Sequence, residues 1–272
     1  MTIQLGVMAS LEEGPDEALK KVRDLDLPTC QVTCWTRELL TPEMADRLVE
    51  ASETHDVEVS TVWTGLPGPA VWNFVEGPVT IGLVPPAYRE ARVATLKEGA
   101  DFAARVGAPG ITTHAGFIPE NLTDPLYAGV VEAIREVAGY CGERDLDFWF
   151  ETGQETPVVL LRVIETLDMD NVGINLEPAN LLMYGKANPV DALDVFGPYV
   201  RGVHAKDGEY PTNGRELGVE KPLGEGRVDF PALVSKLQTL GYSGALTIER
   251  EISGPQQIED IRRAVEMLSA LI

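Results

Sequence analysis

The chain has 272 residues, of which 22 are Lys or Arg and 43 are Asp or Glu, giving a formal net charge of −21. That charge excludes a phosphate backbone and an anionic lipid surface as natural partners, because both are bound through basic side chains; neither a nucleic-acid nor a membrane partner is expected. Hydrophobic residues make up 44%, which excludes intrinsic disorder at this charge.

Three cysteines (Cys30, Cys34 and Cys141) are too few for a disulfide scaffold and odd in number. No apolar run approaches the roughly 20 residues that span a bilayer. The N-terminal segment lacks a basic region and a cleavage site, and turns acidic at Glu12 and Glu13. The expectation is a soluble cytoplasmic protein.

Short apolar runs alternate with longer segments of helical period. The candidate strands in chain order are Ile3–Met8, Thr29–Thr33, Val57–Trp63, Gly110–His114, Leu146–Glu151, Val172–Glu177, Val200–His204 and Ala245–Glu249. Between the fourth and fifth, Leu126, Val130, Ile134, Val137 and Cys141 are spaced by three and four, as one helix face requires. Cys141 on that stripe reads as a buried core thiol. Ile258, Ile261, Val265, Leu268 and Ile272 repeat the pattern at the end of the chain. His55, between a helix and the third strand, reads as structural.

Parallel strands require crossovers, and eight β-α units close naturally into a barrel. The pattern therefore predicts a (β/α)8 TIM barrel, one domain over residues 1–272. The alternative is an open doubly wound sheet. It is weakened because Gly6-Val7-Met8-Ala9-Ser10-Leu11 stands where a Gly-rich phosphate fingerprint would follow the first strand. The connection from Trp63 to about Pro86 is unusually long, and such loops tend to be functional. Trp72 and Phe74 suggest a lid there, with a packed surface loop as the alternative.

In a β-α barrel the chemistry collects at the C-terminal strand ends. His114, Glu151, Glu177, His204 and Glu249 end the fourth to eighth candidate strands. Successive strand residues point to opposite faces. Leu146, Phe148 and Phe150 share one face of the fifth strand, leaving Asp147, Trp149 and Glu151 on the other. By the same parity Glu177 and Glu249 oppose the apolar faces of their strands, and His204 shares a face with Gly202 and Val200. A single glutamate at a strand end is as often solvated or salt-bridged as functional. Three carboxylates and an imidazole on four consecutive strands, about 4.8 Å apart, are different, because like charges that close repel. One divalent cation resolves the conflict; oxygen-rich ligation with one nitrogen suits Mn²⁺, Mg²⁺ or Co²⁺, with Zn²⁺ as a further candidate.

At these residues the sequence resembles the sugar phosphate isomerase/epimerase family, the xylose isomerase-like TIM barrels that include ketose 3-epimerases. The resemblance covers essentially the whole chain. Its most specific segments are Phe150-Glu151-Thr152-Gly153-Gln154-Glu155, Val172 through Leu181, Val203-His204-Ala205-Lys206-Asp207-Gly208, Leu223 through Phe230, and Thr247-Ile248-Glu249-Arg250-Glu251. It implies that Glu151, Glu177, His204 and Glu249 hold one metal, with Mn²⁺ as the first expectation. Glu151 and Glu249 would double as the proton-transfer pair, and Glu155 would touch the sugar. Asn180 stands where relatives often place a substrate-contacting His. Two departures matter: Glu177 replaces an expected Asp, adding a methylene, and Asn180 alters the usual hydroxyl contact. DNA-repair endonucleases on this barrel need a three-zinc cluster with many histidines, whereas this chain has only His55, His114 and His204.

The function implied is a metal-dependent isomerase that inverts C3 of a ketose or keto-sugar through a metal-stabilised enediolate. Lys206 would stabilise the oxyanion or pair with Asp207. Trp63 and His114 would line the pocket, Arg227 and Glu225 would shape the rim, and Arg250 would support the shell. Alternatives are a keto-inositol-type dehydratase or 3-keto-glycoside lyase on the same site, and a non-catalytic sugar-binding barrel. The expected partner is a small sugar, favoured as unphosphorylated because the net charge opposes an anionic substrate. Barrels of this kind are commonly homodimers or homotetramers.

Overall fold

The computed structural model describes residues 3–272. Eight parallel strands close on themselves: β1 (Gln4–Ser10), β2 (Thr29–Cys34), β3 (Glu58–Thr64), β4 (Gly110–Thr113), β5 (Asp147–Glu151), β6 (Val172–Leu176), β7 (Val200–Ala205) and β10 (Ala245–Ile248). Their order around the barrel is β1-β10-β7-β6-β5-β4-β3-β2. The seam pairs β1 with β10, Gln4 opposite Ala245 and Val7 opposite Ile248. That closure removes the open-sheet alternative. All eight expected strands are present with ends shifted by one or two residues. Beyond the expectation, a short antiparallel pair, β8 (Asp207–Gly208) with β9 (Glu220–Lys221), follows β7.

The helices start where the prolines stand. α1 (Pro15–Asp24), α2 (Pro42–His55), α4 (Pro86–Val106), α5 (Pro125–Gly142), α6 (Pro157–Leu167), α7 (Pro178–Met183), α8 (Pro189–Phe196) and α10 (Pro255–Ser269) each begin on proline, and α9 (Phe230–Thr239) has one at its second position. Proline at the first helical position has φ already set and sacrifices a donor that no helix partner would use. Thr41, Asp124, Thr156, Asn188 and Asp229 cap five of these starts through side-chain oxygens.

Phe148, Phe150, Ile174, Leu176, Val203, Leu246 and Ile248 are buried in the apolar layer. Within the barrel, Trp149 and Asn175 fill the interior, and Gly202 makes room for both. A Cβ there would lie 2.4 Å from Asn175 Oδ1 and 3.3 Å from the Trp149 ring. Such layered filling makes the barrel a packed floor, so a ligand has to sit at its mouth.

The long connection after β3 is ordered and contains one helical turn, α3 (Gly77–Thr80). Among the described residues, no helix is long and apolar enough to cross a membrane.

Candidate active site

At the C-terminal mouth, Glu151, Glu177, His204 and Glu249 each bring one ligand-type atom to within 4.8 Å of the others. His204 Nδ1 lies 2.9 Å from Glu249 Oε2, 3.3 Å from Glu177 Oε2 and 3.7 Å from Glu151 Oε1. The three carboxylates follow one design: one oxygen is anchored and the other is offered to the cluster. Glu151 Oε2 accepts from Trp63 Nε1. Glu249 Oε1 lies 3.2 Å from Lys206 Nζ. Glu177 caps α7, its Oε1 accepting from the backbone N–H of Ala179 at 2.7 Å and Asn180 at 3.3 Å. The cap explains why glutamate serves where aspartate was expected: one oxygen holds the helix while the longer arm extends the other to His204.

His204 is oriented from behind. Its Nε2 meets Gln31 Oε1, and the Asn175 amide lies 2.9 Å from the same nitrogen. With Nε2 donating to Gln31, Nδ1 is the nitrogen turned toward the carboxylates.

Burial and mutual charge set the protonation of this cluster. Burial would depress the His204 pKa, but the carboxylates of Glu249, Glu177 and Glu151 outweigh it and push it up to about 10. Burial pushes Glu151 and Glu177 up to about 7. Burial acts on Glu249 in the same direction, but Lys206 and His204 hold it well below the usual carboxylate range. Glu177 Oε2, His204 Nδ1 and Glu249 Oε2 are buried and make no hydrogen bond despite their closeness. Three buried ligand-type atoms converging on one point fit a shared cation. Uncompensated carboxylates at this depth would be costly, and an oxygen-rich donor set with one imidazole matches a divalent ion.

Above the cluster is a cavity of about 870 Å³. Trp63, His114, Glu151, Asn180, Lys206 and Glu249 are among its lining residues. Glu177 and His204 are completely buried and lie beneath it. His114 sits just past β4 with Nδ1 3.3 Å from the Glu151 carbonyl and Nε2 3.6 Å from Glu151 Oε1. Burial pushes its pKa down to about 4, so the imidazole is neutral.

Two residues expected to contact the sugar do not line the cavity. Glu155 is buried with neither carboxylate oxygen hydrogen-bonded, and burial pushes its pKa up to about 8. Arg227 is exposed and outside the cavity. Both lie in loops, where strand alternation says nothing of direction. Glu225 instead faces Arg263 at 3.5 Å. Lys206 does not pair with Asp207; its Nζ sits between Glu249 at 3.2 Å and Glu251 at 3.0 Å. Asp207 accepts the backbone N–H groups of Gly208, Gly224, Gly226 and Val228 and so orders the Gly-rich loop. Arg250 pairs with Glu220 and Asp260, both at 2.9 Å, and also borders the cavity. His55 pairs with Asp16 at 2.8 Å, far from the mouth in the sequence pattern and in role. Gln31, Trp35 and Glu251 escaped the sequence reading.

Residues 19–271 match the family model described as xylose isomerase-like TIM barrel. A xylose isomerase domain protein from Planctomyces limnophilus has a similar solved structure, with 35% identity, a TM-score of 0.94, and coverage of 100% of this chain and 98% of that one. A D-psicose 3-epimerase solved with D-fructose superposes with TM-score 0.73 at 14% identity over 99% of both chains. A probable 3-DHS dehydratase from Bacillus anthracis does so with TM-score 0.71 at 16% identity, over 97% of this chain and 99% of that one. The last two likenesses are of fold.

Proposed function

The chain belongs to the xylose isomerase-like TIM barrel family, and from that premise we propose that it is a divalent-metal-dependent sugar epimerase or isomerase, inverting C3 of a ketose or keto-sugar. The observation carrying this reading is the division within the cluster. Glu151 and Glu249 reach the cavity, whereas Glu177 and His204 lie under it. This division supports a reading in which Glu177 and His204 hold a metal only, and Glu151 and Glu249 hold it and also touch substrate.

Glu151, Glu177, His204 and Glu249 would hold the ion, with Mn²⁺ the best match and Co²⁺, Mg²⁺ or Zn²⁺ as alternatives. A bound divalent cation supplies Lewis-acid polarisation of the carbonyl at C2.

The protein's own groups supply the rest. One of Glu151 and Glu249, as the carboxylate, removes the C3 proton; the C–H electron pair becomes the C2–C3 π bond of an enediolate as the carbonyl π pair moves onto the C2 oxygen. The other glutamate, starting as the acid, delivers its proton to the opposite face of C3, the C2 carbonyl re-forms, and C3 is inverted. They come from β5 and from the end of β10, on either side of β6 and β7, which suits attack from two faces. Trp63 Nε1 and Lys206 Nζ fix their rotamers, and the Lys206 charge also favours oxyanion development. Asn180, in the cavity wall, can donate to and accept from hydroxyls.

The test is hydrogen exchange at C3. With Mn²⁺ in D₂O, a substrate ketose should gain deuterium at C3 with no other change in mass. Turnover with C3 hydrogen retained would overturn the enediolate route. Lys206 favours one further reading, since its ammonium can give a proton to a departing hydroxyl. Loss of one water from the product would make the site a dehydratase.

A further inference from the structure

The cavity is larger than the reaction at its floor requires. Its volume of about 870 Å³ is near the top of the roughly 300–1,000 Å³ range of pockets for drug-sized ligands, and a free ketose is a much smaller molecule. Part of that volume runs beside α1 and α10, where Ala18, Val22, Leu25, Ile258 and Ile261 line it; another part is bounded by an aromatic wall that climbs from floor to rim. Trp63, at the floor, donates to Glu151. Trp35 packs on Trp63 with ring centroids 4.5 Å apart. Trp72 stands edge-on to Trp35 at 6.5 Å and to His114 at 5.4 Å. Trp63 is 5% exposed, but Trp35 is 53% exposed and Trp72 40%.

Both exposed tryptophans stand on backbone held by built supports. Glu12 Oε1 accepts the backbone N–H of Trp35 at 2.7 Å and of Thr36 at 2.8 Å, while Ser10 Oγ donates to its Oε2 at 2.7 Å. Trp72 lies in a segment fastened by Arg92, a fully buried guanidinium that donates to the carbonyls of Pro67, Pro69 and Gly82 at 3.0, 2.8 and 2.6 Å. Next to Trp72, Asn73 Oδ1 accepts from Val75 and Glu76. Exposed apolar rings contribute nothing to folding stability at their wet faces, yet a buried charge is committed to one and a carboxylate clamp to the other. Fixed, exposed aromatic faces continuous with a reaction site are a binding platform.

We propose that Trp35 and Trp72 form a second-ring subsite, and that the substrate is a keto-sugar carrying a further ring, a glycosylated ketose or keto-glycoside, in preference to a free ketose. A sugar ring offers an apolar C–H face for an indole and hydroxyls at its edge for polar neighbours. Ser10, Glu13, Lys21 and Glu216 also border the cavity and supply such neighbours. The identity of the first ring rests on the keto-sugar reading above; the second ring rests on the aromatic wall.

The experiment compares D-fructose with isomaltulose and maltulose, in which a glucosyl ring is attached away from C2 and C3 of the fructose. Each is titrated into the Mn²⁺-loaded full-length protein by calorimetry, and C3 exchange in D₂O is measured separately. At least one disaccharide should bind about tenfold more tightly than D-fructose. Trp35→Ala and Trp72→Ala should each bring that affinity ratio toward one, circular dichroism showing the barrel intact. If neither disaccharide binds more tightly, or the ratio survives both substitutions, the subsite is overturned. C3 exchange of D-fructose without a ring preference sinks the subsite alone; a ring preference without C3 exchange supports the subsite and sinks the epimerase reading.

Discussion

Gln31 and His204 meet inside the barrel, the amide oxygen of one accepting from Nε2 of the other, although β1 and β10 separate their strands. The contact fixes the ring plane and turns Nδ1 toward Glu151, Glu177 and Glu249. Partners behind a metal-binding His commonly set affinity by about 10–100-fold. Gln31→Leu should weaken Mn²⁺ binding by that factor in a chelator competition, and Gln31→Glu, which keeps an acceptor, should largely retain it. An unchanged affinity in Gln31→Leu would remove Gln31 from the site.

The same cluster predicts two classes of variant. Glu151→Gln and Glu249→Gln should each reduce C3 exchange by about 10²–10⁴-fold at saturating metal, because in the proposed reaction each deletes a proton carrier. Glu177→Gln would delete only a proposed ligand beneath the cavity. Its exchange rate should recover as Mn²⁺ is raised, and the metal concentration at half-maximal rate should shift upward. Equal, unrecoverable losses in all three would contradict the division of labour.

The four cluster residues were legible because they occupy strand ends, where period-two alternation dictates direction and barrel closure dictates proximity. The same alternation accounts for Lys206: adjacent residues at the end of a strand face opposite ways, so it reaches Glu249 and Glu251 while Asp207 turns to the Gly-rich loop. What the sequence hides is long-range and loop-borne. Gln31 lies 173 positions before its histidine, where no linear motif points. Trp35 takes its place from a carboxylate 23 positions earlier. Glu155 and Arg227 lie in loops, whose backbone carries no period from which a side-chain direction follows.

Glu155 gives a pH test. Its folded pKa, about 8, exceeds the ordinary value of 4.5 because the carboxyl is buried. The folded state therefore holds a proton that the unfolded chain releases, so the stabilising contribution is full below about pH 4.5 and is lost as pH rises through 8. Glu155→Gln removes this dependence. The difference in Tm, variant minus parent, should be more positive at pH 9 than at pH 5, with a stability equivalent on the order of a few kcal/mol. A difference independent of pH would show that the carboxyl is already charged and paired when folded.

Arg92 decides whether the rim is fixed. Its guanidinium donates to three carbonyls of the 65–85 connection, and leaving a buried acceptor without a donor costs about 1–3 kcal/mol. Arg92→Met keeps most of the side-chain volume and removes all three donors, so a loss of about 2–5 kcal/mol is expected. Arg92→Lys should be intermediate, because an ammonium is a point donor that cannot span the three carbonyls as a planar fork does. Hydrogen exchange separates a local effect from a global one. Amides of residues 65–82 should lose protection in Arg92→Met while those of β5, β6 and β7 keep theirs. Loss of protection throughout the barrel would instead make Arg92 a core residue whose contact with the Trp72 segment is incidental.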